Sequence, residues 1–184
     1  DYIAHFYDVL PALKDERYIT VDGKPLFVVF DPMAIPDASS FIKLWKDLAI
    51  DNGLKGIHFV GIMSNLMGFR YDNNGEKKYY RVKANEPAGP IYQRVIDLGF
   101  DAINSRGVFR AELAVKGTFH KYMVEILRRY LGIEVLKKFK YKDVIKHLFV
   151  EEDSWDNVYP TLLPNWDRTA RSGKKAVIYH ESTP

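Results

Sequence analysis

The sequence contains no cysteine, no long apolar run and no marked excess of charge of one sign. The absence of cysteine excludes disulfide scaffolds, thiol nucleophiles and thiolate metal sites. No run of about eighteen apolar residues is present, so the sequence predicts no membrane-spanning helix. No basic start followed by an apolar core is visible, and we therefore expect no signal peptide in this chain and a cytoplasmic location.

The charge pattern also argues against a nucleic-acid partner. The 27 basic and 24 acidic residues leave a net charge of +3 and are interleaved almost throughout. Nucleic-acid binders usually concentrate their basic residues on one face. The one basic run, over residues 137–142, predicts a solvated helix junction.

The overall composition is that of an ordinary globular chain. Hydrophobic residues make up 47% and charged residues 28% of the 184 positions, enough to bury one sizeable core. Four apolar runs predict β-strands, and the first is continuously apolar, as expected of a parallel strand covered on both faces. These runs lie at residues 25–30, 56–62, 100–103 and 158–163.

Helical patterns alternate with these strands. A stripe at residues 3–10 opens the chain, and a longer one over 37–52 has Asp37 or Ser39 as its cap and Gly53 as its stop. Further helices are predicted over 91–98, from Gly117 to Gly132, and over 141–148. Alternation of this kind predicts right-handed βαβ units and a mainly parallel sheet.

Two segments predict β-hairpins. Asn74-Gly75 is flanked by aromatic and β-branched residues over 69–82, which indicates a small hairpin insertion at 66–84 after the second strand. A smaller hairpin is predicted over 18–24, with its turn at Asp22-Gly23.

The length limits the architecture. A complete (β/α)₈ barrel takes about 250 residues, whereas about four strands use most of this chain. The alternatives are a small open α/β domain or a partial (β/α)₈ barrel, and we favour a single α/β domain over 1–184 that is a fragment of a larger TIM-like barrel. Because a partial barrel leaves unpaired strand edges, we expect self-association to cover them.

Polar side chains follow each predicted strand, where parallel α/β folds place their reactive groups. A mixture of carboxylates, amides, guanidiniums and an indole suits a polyhydroxylated ligand. Asp31 and Asp167 are the catalytic candidates, although Asp31 could equally cap a turn and Asn104 could be an ordinary loop residue. The predicted substrate-binding residues are Asp31, Asn104, Asn165, Trp166, Asp167, Arg168, Arg171, His180 and Glu181.

Several motifs are missing. The sequence has no phosphate-binding glycine loop, no His-x-x-x-His spacing and no Gly-x-Ser-x-Gly elbow, so we expect no cofactor and no metal. Without a nucleotide-phosphate cradle, the residues slightly favour glycoside cleavage over glycosyl transfer. Cleavage would need two carboxylates roughly 5–10 Å apart, a spacing that Asp31 and Asp167 could supply.

Four segments, at residues 15–31, 99–102, 163–168 and 179–184, resemble in order the WbsX-type glycosyltransferase family. That family is related to the endo-α-mannosidases of glycoside hydrolase family 99 and occurs in bacterial clusters for lipopolysaccharide O-antigen, capsule and other surface polysaccharides. The resemblance implies a (β/α)₈ barrel that acts on glycans. It also implies that Asp31, Trp166, Asp167 and Arg168 face the sugar cleft.

The chain departs from the family pattern at two places. The amino-terminal Trp-Ala-Asn-Glu-Asn-Trp stretch and the carboxy-terminal Trp-Asn-Glu-Trp motif are absent, so the resemblance covers the central and later part of the barrel without its main carboxylates. Two hypotheses follow: a carbohydrate-active enzyme of polysaccharide synthesis or processing, or a glycan-binding or assembly module without catalysis.

Overall fold

The computed structural model describes residues 1–63, 67–71, 76–81, 87–133, 135–164 and 166–182. The chain forms two compact units, unit 1 from residues 1–105 and 154–159, and unit 2 from residues 106–153 and 160–184. The organisation of residues 1–184 as a single domain stays a prediction. Within the described ranges, no helix combines the length and the apolar character that crossing a bilayer requires.

The elements of unit 1 alternate between helices and strands along most of its length. They are α1 (Tyr2–Leu13), β1 (Thr20–Val21), β2 (Lys24–Phe30), α2 (Ala38–Asp51), β3 (His58–Met63), β4 (Met67–Tyr71), β5 (Lys77–Arg81), α3 (Gly89–Asp97) and β6 (Ala102–Ser105). The later elements are α4 (Val108–Leu131), β7 (Lys137–Lys140), α5 (Tyr141–Ile145), β8 (Val158–Pro160), β9 (Trp166–Asp167), α6 (Thr169–Ser172) and β10 (Val177–His180).

The main sheet of unit 1 has the strand order β1-β2-β3-β6-β8. Strands β2, β3 and β6 pair in parallel, which confirms the mixed α/β class and the mainly parallel sheet. Strand β1 pairs antiparallel with β2 through the predicted turn, where Asp22 and Gly23 have φ angles of 52° and 75°. The fourth predicted strand is shorter than expected because β8 ends at Pro160, which has no N–H to continue the ladder.

Aromatic side chains hold α2 against this sheet. Trp45 is fully buried, and its ring contacts Phe27 of β2 and Phe59 of β3, with centroids 4.8 and 6.3 Å away. The Trp45 indole Nε1 donates a hydrogen bond of 2.9 Å to the carbonyl oxygen of Tyr2, so α1 is joined to the same core. Helix α2 begins after Asp37, whose carboxylate accepts from the Ser40 amide as predicted for a cap.

Asp101, within one of the segments that carry the family resemblance, has a structural role in unit 1. Its Oδ2 accepts a hydrogen bond of 2.9 Å from the Phe59 amide, and its Oδ1 lies 3.1 Å from Lys46 Nζ. The Lys46 ammonium also donates to the carbonyl oxygen of Gly99. Asp101 therefore connects α2, the start of β3 and the turn before β6.

Unit 2 contains a second sheet, with the order β7-β10-β9, that the sequence did not predict. The prediction of a solvated helix junction at residues 137–142 was wrong. The first four residues of this basic run form β7, which pairs in parallel with β10. In β7 the Phe139 ring is buried between exposed Lys138 and Lys140. The core of this unit is Ala111, Phe139, Val144 and Tyr179.

Helix α4 starts earlier than the sequence predicted. It begins at Val108, is interrupted at Gly117 with φ 71° and ψ 163°, and ends before Gly132, which has φ 64°. Only the part after Gly117 was predicted as helical. Helix α5 is shorter than its predicted range of 141–148, since it ends at Ile145.

Strands β4 and β5 pair antiparallel, with Met67 opposite Arg81 and Tyr71 opposite Lys77. The pairing of two strands predicted around Asn74-Gly75 is therefore present. The turn itself lies outside the described residues, and the status of 66–84 as an insertion stays a prediction.

Candidate functional site

Asp31 follows the carboxyl end of β2, as predicted. Its φ angle of 49° lies in the left-handed region, which non-glycine residues rarely adopt. Its amide donates to the carbonyl oxygen of Ile62 at 3.2 Å, and a 3₁₀ turn, Pro32–Ala34, begins directly after it. The strained backbone holds Asp31 at the strand end, a position where such strain is often associated with function.

Asn104 also lies near a strand end, and its amide connects two strands of unit 1. The Asn104 Nδ2 donates a hydrogen bond of 2.8 Å to the carbonyl oxygen of Tyr159 in β8. The neighbouring Ser105 is 1% exposed. The Tyr159 hydroxyl is 3.2 Å from His58 Nε2, and the two rings stack. Asn104 therefore supports the sheet at the position where a ligand contact was predicted.

A charged cluster lies at one end of the unit 2 sheet. Strands β7 and β10 are parallel and pair Lys140 with His180, so both side chains reach the same end. Glu181 follows β10 with φ 57° and places Oε2 at 3.2 Å from Lys140 Nζ and Oε1 at 3.3 Å from His180 Nδ1. The hydrogen bond from Lys140 holds the pKa of the Glu181 carboxyl below its ordinary value. The predicted His180-Glu181 pair thus forms one cluster with a lysine.

Asp167 lies in β9, and its carboxylate is bonded locally. The sequence predicted that residues 165–168 form a loop after the fourth strand. In the structure, Trp166 and Asp167 form an edge strand that pairs antiparallel with β10. Asp167 Oδ1 accepts a hydrogen bond of 2.7 Å from the Thr169 amide. Hydrogen bonds from Thr169 lower the pKa of Asp167, so this carboxyl stays ionised and is suited to accept hydrogen bonds.

The strand register places the neighbours Trp166 and Asp167 on opposite faces of this sheet. Trp166 is opposite Tyr179 and shares the face that packs on α4, which we call the α4 face. Asp167 is opposite Ile178 and lies on the other face, which we call the open face, together with His180. Trp166 remains 40% exposed.

The remaining predicted residues surround this strand. Arg168 follows β9 and its amide donates to the carbonyl oxygen of Val177, whereas Arg171 is exposed in the short helix α6. Asn165 lies outside the described residues. Asp31 and Asn104 belong to unit 1 and the others to unit 2. A shared surface for all of them, with Asp31 and Asp167 as a catalytic pair, stays a prediction.

The structure also contains a partly buried acid, Glu112, that was not predicted from the sequence. The Tyr179 hydroxyl of β10 donates a hydrogen bond to Glu112 Oε1 of α4. Burial raises the pKa of Glu112, against the opposing effects of the Tyr179 bond and of the positive charges of Lys137, Lys116 and Arg168. Burial and the neighbouring Glu112 also raise the pKa of Tyr179, so its hydroxyl keeps its proton and acts as donor.

A pocket opens beside this pair on the α4 face. It encloses about 400 Å³ of empty space, including some open solvent. Its lining residues come from both halves of α4, which meet at Gly117, and from β7; they are Phe109, Glu112, Leu113, Lys116, Gly117, His120, Val124, Lys137 and Phe139. The Lys116 ammonium lies 4.3 Å from the centre of the Phe139 ring.

A sequence signal for this pocket existed but is weak. Glu112 stands among Phe109, Ala111 and Leu113, so a single acid interrupts an apolar stretch. Its partner Tyr179 is 67 residues away in sequence. No local pattern connects positions at that separation. Across the described part of the chain, no group of three or more His, Asp or Glu residues could hold a metal ion.

Comparison with known proteins identifies a family. The family described as Glycosyltransferase WbsX matches residues 1–184, the entire sequence. The comparison with curated proteins and the comparison with solved structures found no match. The match confirms the family that the four sequence segments indicated.

Proposed function

The chain belongs to the WbsX glycosyltransferase family, and from this premise we propose that it is a carbohydrate-active domain that acts in the synthesis of bacterial surface polysaccharide. The observation that carries the proposal is the match of this family over residues 1–184. The proposed substrate is a sugar chain or an activated sugar. We extend the proposal to a relationship with the endo-α-mannosidases of glycoside hydrolase family 99.

The way helices cover the main sheet supports a barrel-type architecture. Trp45 of α2 contacts Phe59 of β3, and a Cβ added at Gly61 would come within 2.9 Å of Val95 of α3. Because Phe59 and Gly61 are two positions apart, both helices cover the same face of β3. On the opposite face of the sheet, the side chain of Phe30 in β2 is 62% exposed. Helices on one face are typical of a (β/α)₈ barrel, whereas doubly wound sheets carry helices on both faces.

The open face of the unit 2 sheet supports a place for sugar contacts. Asp167 and His180 lie on this face, and Glu181 follows at its edge. Ionised carboxylates accept hydrogen bonds from vicinal hydroxyls, and the imidazole can donate or accept. We propose that Asp167, His180 and Glu181 bind sugar hydroxyls here.

The test is a glycan array with the purified chain, followed by affinity measurements on Asp167→Asn and His180→Gln. We expect each variant to weaken the binding of the best glycan by roughly tenfold, the loss of one charge-assisted or well-placed hydrogen bond. Asp47→Asn is the matched control, since Asp47 is an exposed acid on α2 that pairs with Lys43. Unchanged affinity in both site variants, or no binding to any glycan, would refute the proposal.

One observation favours a second candidate, a glycan-binding module without catalysis. Both Asp167 and Glu181 have pKa values below the ordinary range, so neither is suited to protonate a leaving group. A glycan that binds to the chain and is neither cleaved nor extended, in the presence of sugar-nucleotide donors, would support this candidate. Turnover that is lost in Asp31→Asn or Asp167→Asn would exclude it.

Self-association is a separate part of the proposal. The two edge strands of the main sheet, β1 and β8, are short, with two and three residues. We predicted that further copies cover strand edges. Light scattering that reports a monomer across a wide concentration range would contradict this.

A further inference from the structure

The pocket on the α4 face of unit 2 has a positive balance of charge. Lys116, Lys137 and His120 line it, and among the described lining residues Glu112 is the one acid. The charge of Arg168 also acts on Glu112 and on Tyr179. The Glu112 carboxyl is engaged by the Tyr179 hydroxyl. The lysines therefore exceed the acid in number even when His120 is neutral.

Lys116 and Lys137 share one described carboxylate partner, Glu112, whose charge acts on both. The Glu112 carboxyl also accepts the hydrogen bond of the Tyr179 hydroxyl. Burial lowers the pKa of Lys116, because its ammonium has lost part of its hydration and lies over the Phe139 ring. A partly dehydrated cation that shares its counter-ion with a second lysine is unfavourable, and an anion in the pocket would relieve this.

The walls of the pocket add a second requirement for its ligand, which is an apolar surface. Phe109, Leu113, Val124 and Phe139 are apolar and line the same space as the basic groups. Small inorganic ions make little use of such walls, whereas the apolar face of a sugar ring packs well against an aromatic side chain.

We propose that this pocket binds the oxyanion of an acidic sugar, either the carboxylate of a uronic acid or the phosphate of a sugar phosphate. Lys116 and Lys137 contact the oxyanion, and the Phe139 and Phe109 side chains cover the ring. The anionic part of this inference rests on the pocket, and the sugar part rests on the proposed function. The site differs from the open-face residues, since Phe139 and Tyr179 lie on the α4 face.

The test is isothermal titration calorimetry of the full chain with four probes: glucuronate, glucose 1-phosphate, glucose and inorganic phosphate. We expect both acidic sugars to bind at least about tenfold more tightly than glucose and than inorganic phosphate. Lys116→Met and Lys137→Met should each weaken the binding of the acidic sugars at least about tenfold. Lys138→Met is the matched control, because Lys138 is exposed and lies on the neighbouring position of the same strand.

The possible outcomes separate this inference from the proposed function. If glucose binds as tightly as glucuronate, or if no anion binds, the inference is wrong, while the open-face test decides the proposed function independently. Equal binding of inorganic phosphate and glucose 1-phosphate would overturn the sugar part. Thermal melts of both lysine variants confirm folding, and the two substitutions lie on different elements, so agreement between them argues against a local folding defect.

Discussion

The two units of this chain use their buried residues differently. Unit 1 buries aromatic rings, with Trp45, Phe59 and Phe41 packed edge to face or tilted and the indole nitrogen bonded to a backbone carbonyl. Unit 2 has a small core and buries the ionisable pair Glu112 and Tyr179 beside a basic pocket. Dense apolar packing gives a rigid scaffold, whereas buried titratable groups mark positions where chemistry or binding takes place.

The largest effect that tests this comparison is expected in unit 1. Trp45→Ala should lower the free energy of unfolding by about 3–5 kcal/mol, because a fully buried ring is removed from a close-packed core. Urea denaturation followed by circular dichroism measures the change. The matched control is Ile50→Ala on the same helix, where the side chain is 58% exposed and the change should stay within about 0.5 kcal/mol. Equal losses in both variants would contradict the assignment of Trp45 as the core residue.

A smaller effect is expected from the hydrogen bond of unit 2. Tyr179→Phe keeps the ring and removes the hydroxyl, so Glu112 remains buried without its donor. We expect the free energy of unfolding to fall by about 1–3 kcal/mol, the usual range for a buried group left unsatisfied. The same urea experiment measures it, and Tyr159→Phe is the control because the Tyr159 hydroxyl contacts a ring nitrogen of His58 rather than a carboxylate. A Tyr179→Phe loss no greater than the control loss would contradict a buried pair.

The smallest expected effect is a change of folding stability with pH that is caused by the raised pKa of Glu112. The pKa of Glu112 is raised in the folded chain above its ordinary value of 4.5, with Lys137, Lys116, Arg168 and Tyr179 as its charged and titratable neighbours. The folded state therefore binds this proton more tightly than the unfolded state. The stabilising contribution is fully present below pH 4.5 and is lost as the pH rises through the folded pKa.

Glu112→Gln removes this titration and keeps an acceptor for Tyr179. We expect the stability of the original chain relative to Glu112→Gln to decline as the pH rises from about 4 to 8. Thermal melts over this range, with Glu181→Gln as a control of opposite sign, measure the difference. The control has the opposite sign because the pKa of Glu181 is lowered, so its contribution is lost as the pH falls. If the stability of the original chain relative to Glu112→Gln rises with pH, the raised pKa of Glu112 is contradicted.

Much of unit 1 was predictable because its signals are local. The strand at 25–30, the helix after Asp37 and the turn at Asp22-Gly23 each depend on neighbouring residues, and all three are present. In unit 2, the helix start before Gly117 was missed, since a glycine with φ 71° separates two helical segments and hides the first one. The left-handed backbone of Asp31 could not be read from its sequence.

The candidate site was predicted only in part. His180 and Glu181 were predicted at a strand end, and the structure joins them to Lys140, which had been assigned to a helix junction. Trp166 and Asp167 were predicted as loop residues on one surface, whereas their strand places them on opposite faces. Pairing with β10 decides this, and the partner lies about a dozen residues further along the chain.

The amino-acid order alone determined the family, the α/β alternation and the local caps and turns, because each depends on side chains a few positions apart. Tertiary structure decided that Lys137–Lys140 is a strand and that Glu112 meets Tyr179 across 67 residues. It also decided that two lysines and several apolar side chains line the same pocket. Burial and charge environment arise only when distant segments pack together, since the pKa of a carboxyl and the pairing of a strand depend on neighbours in space.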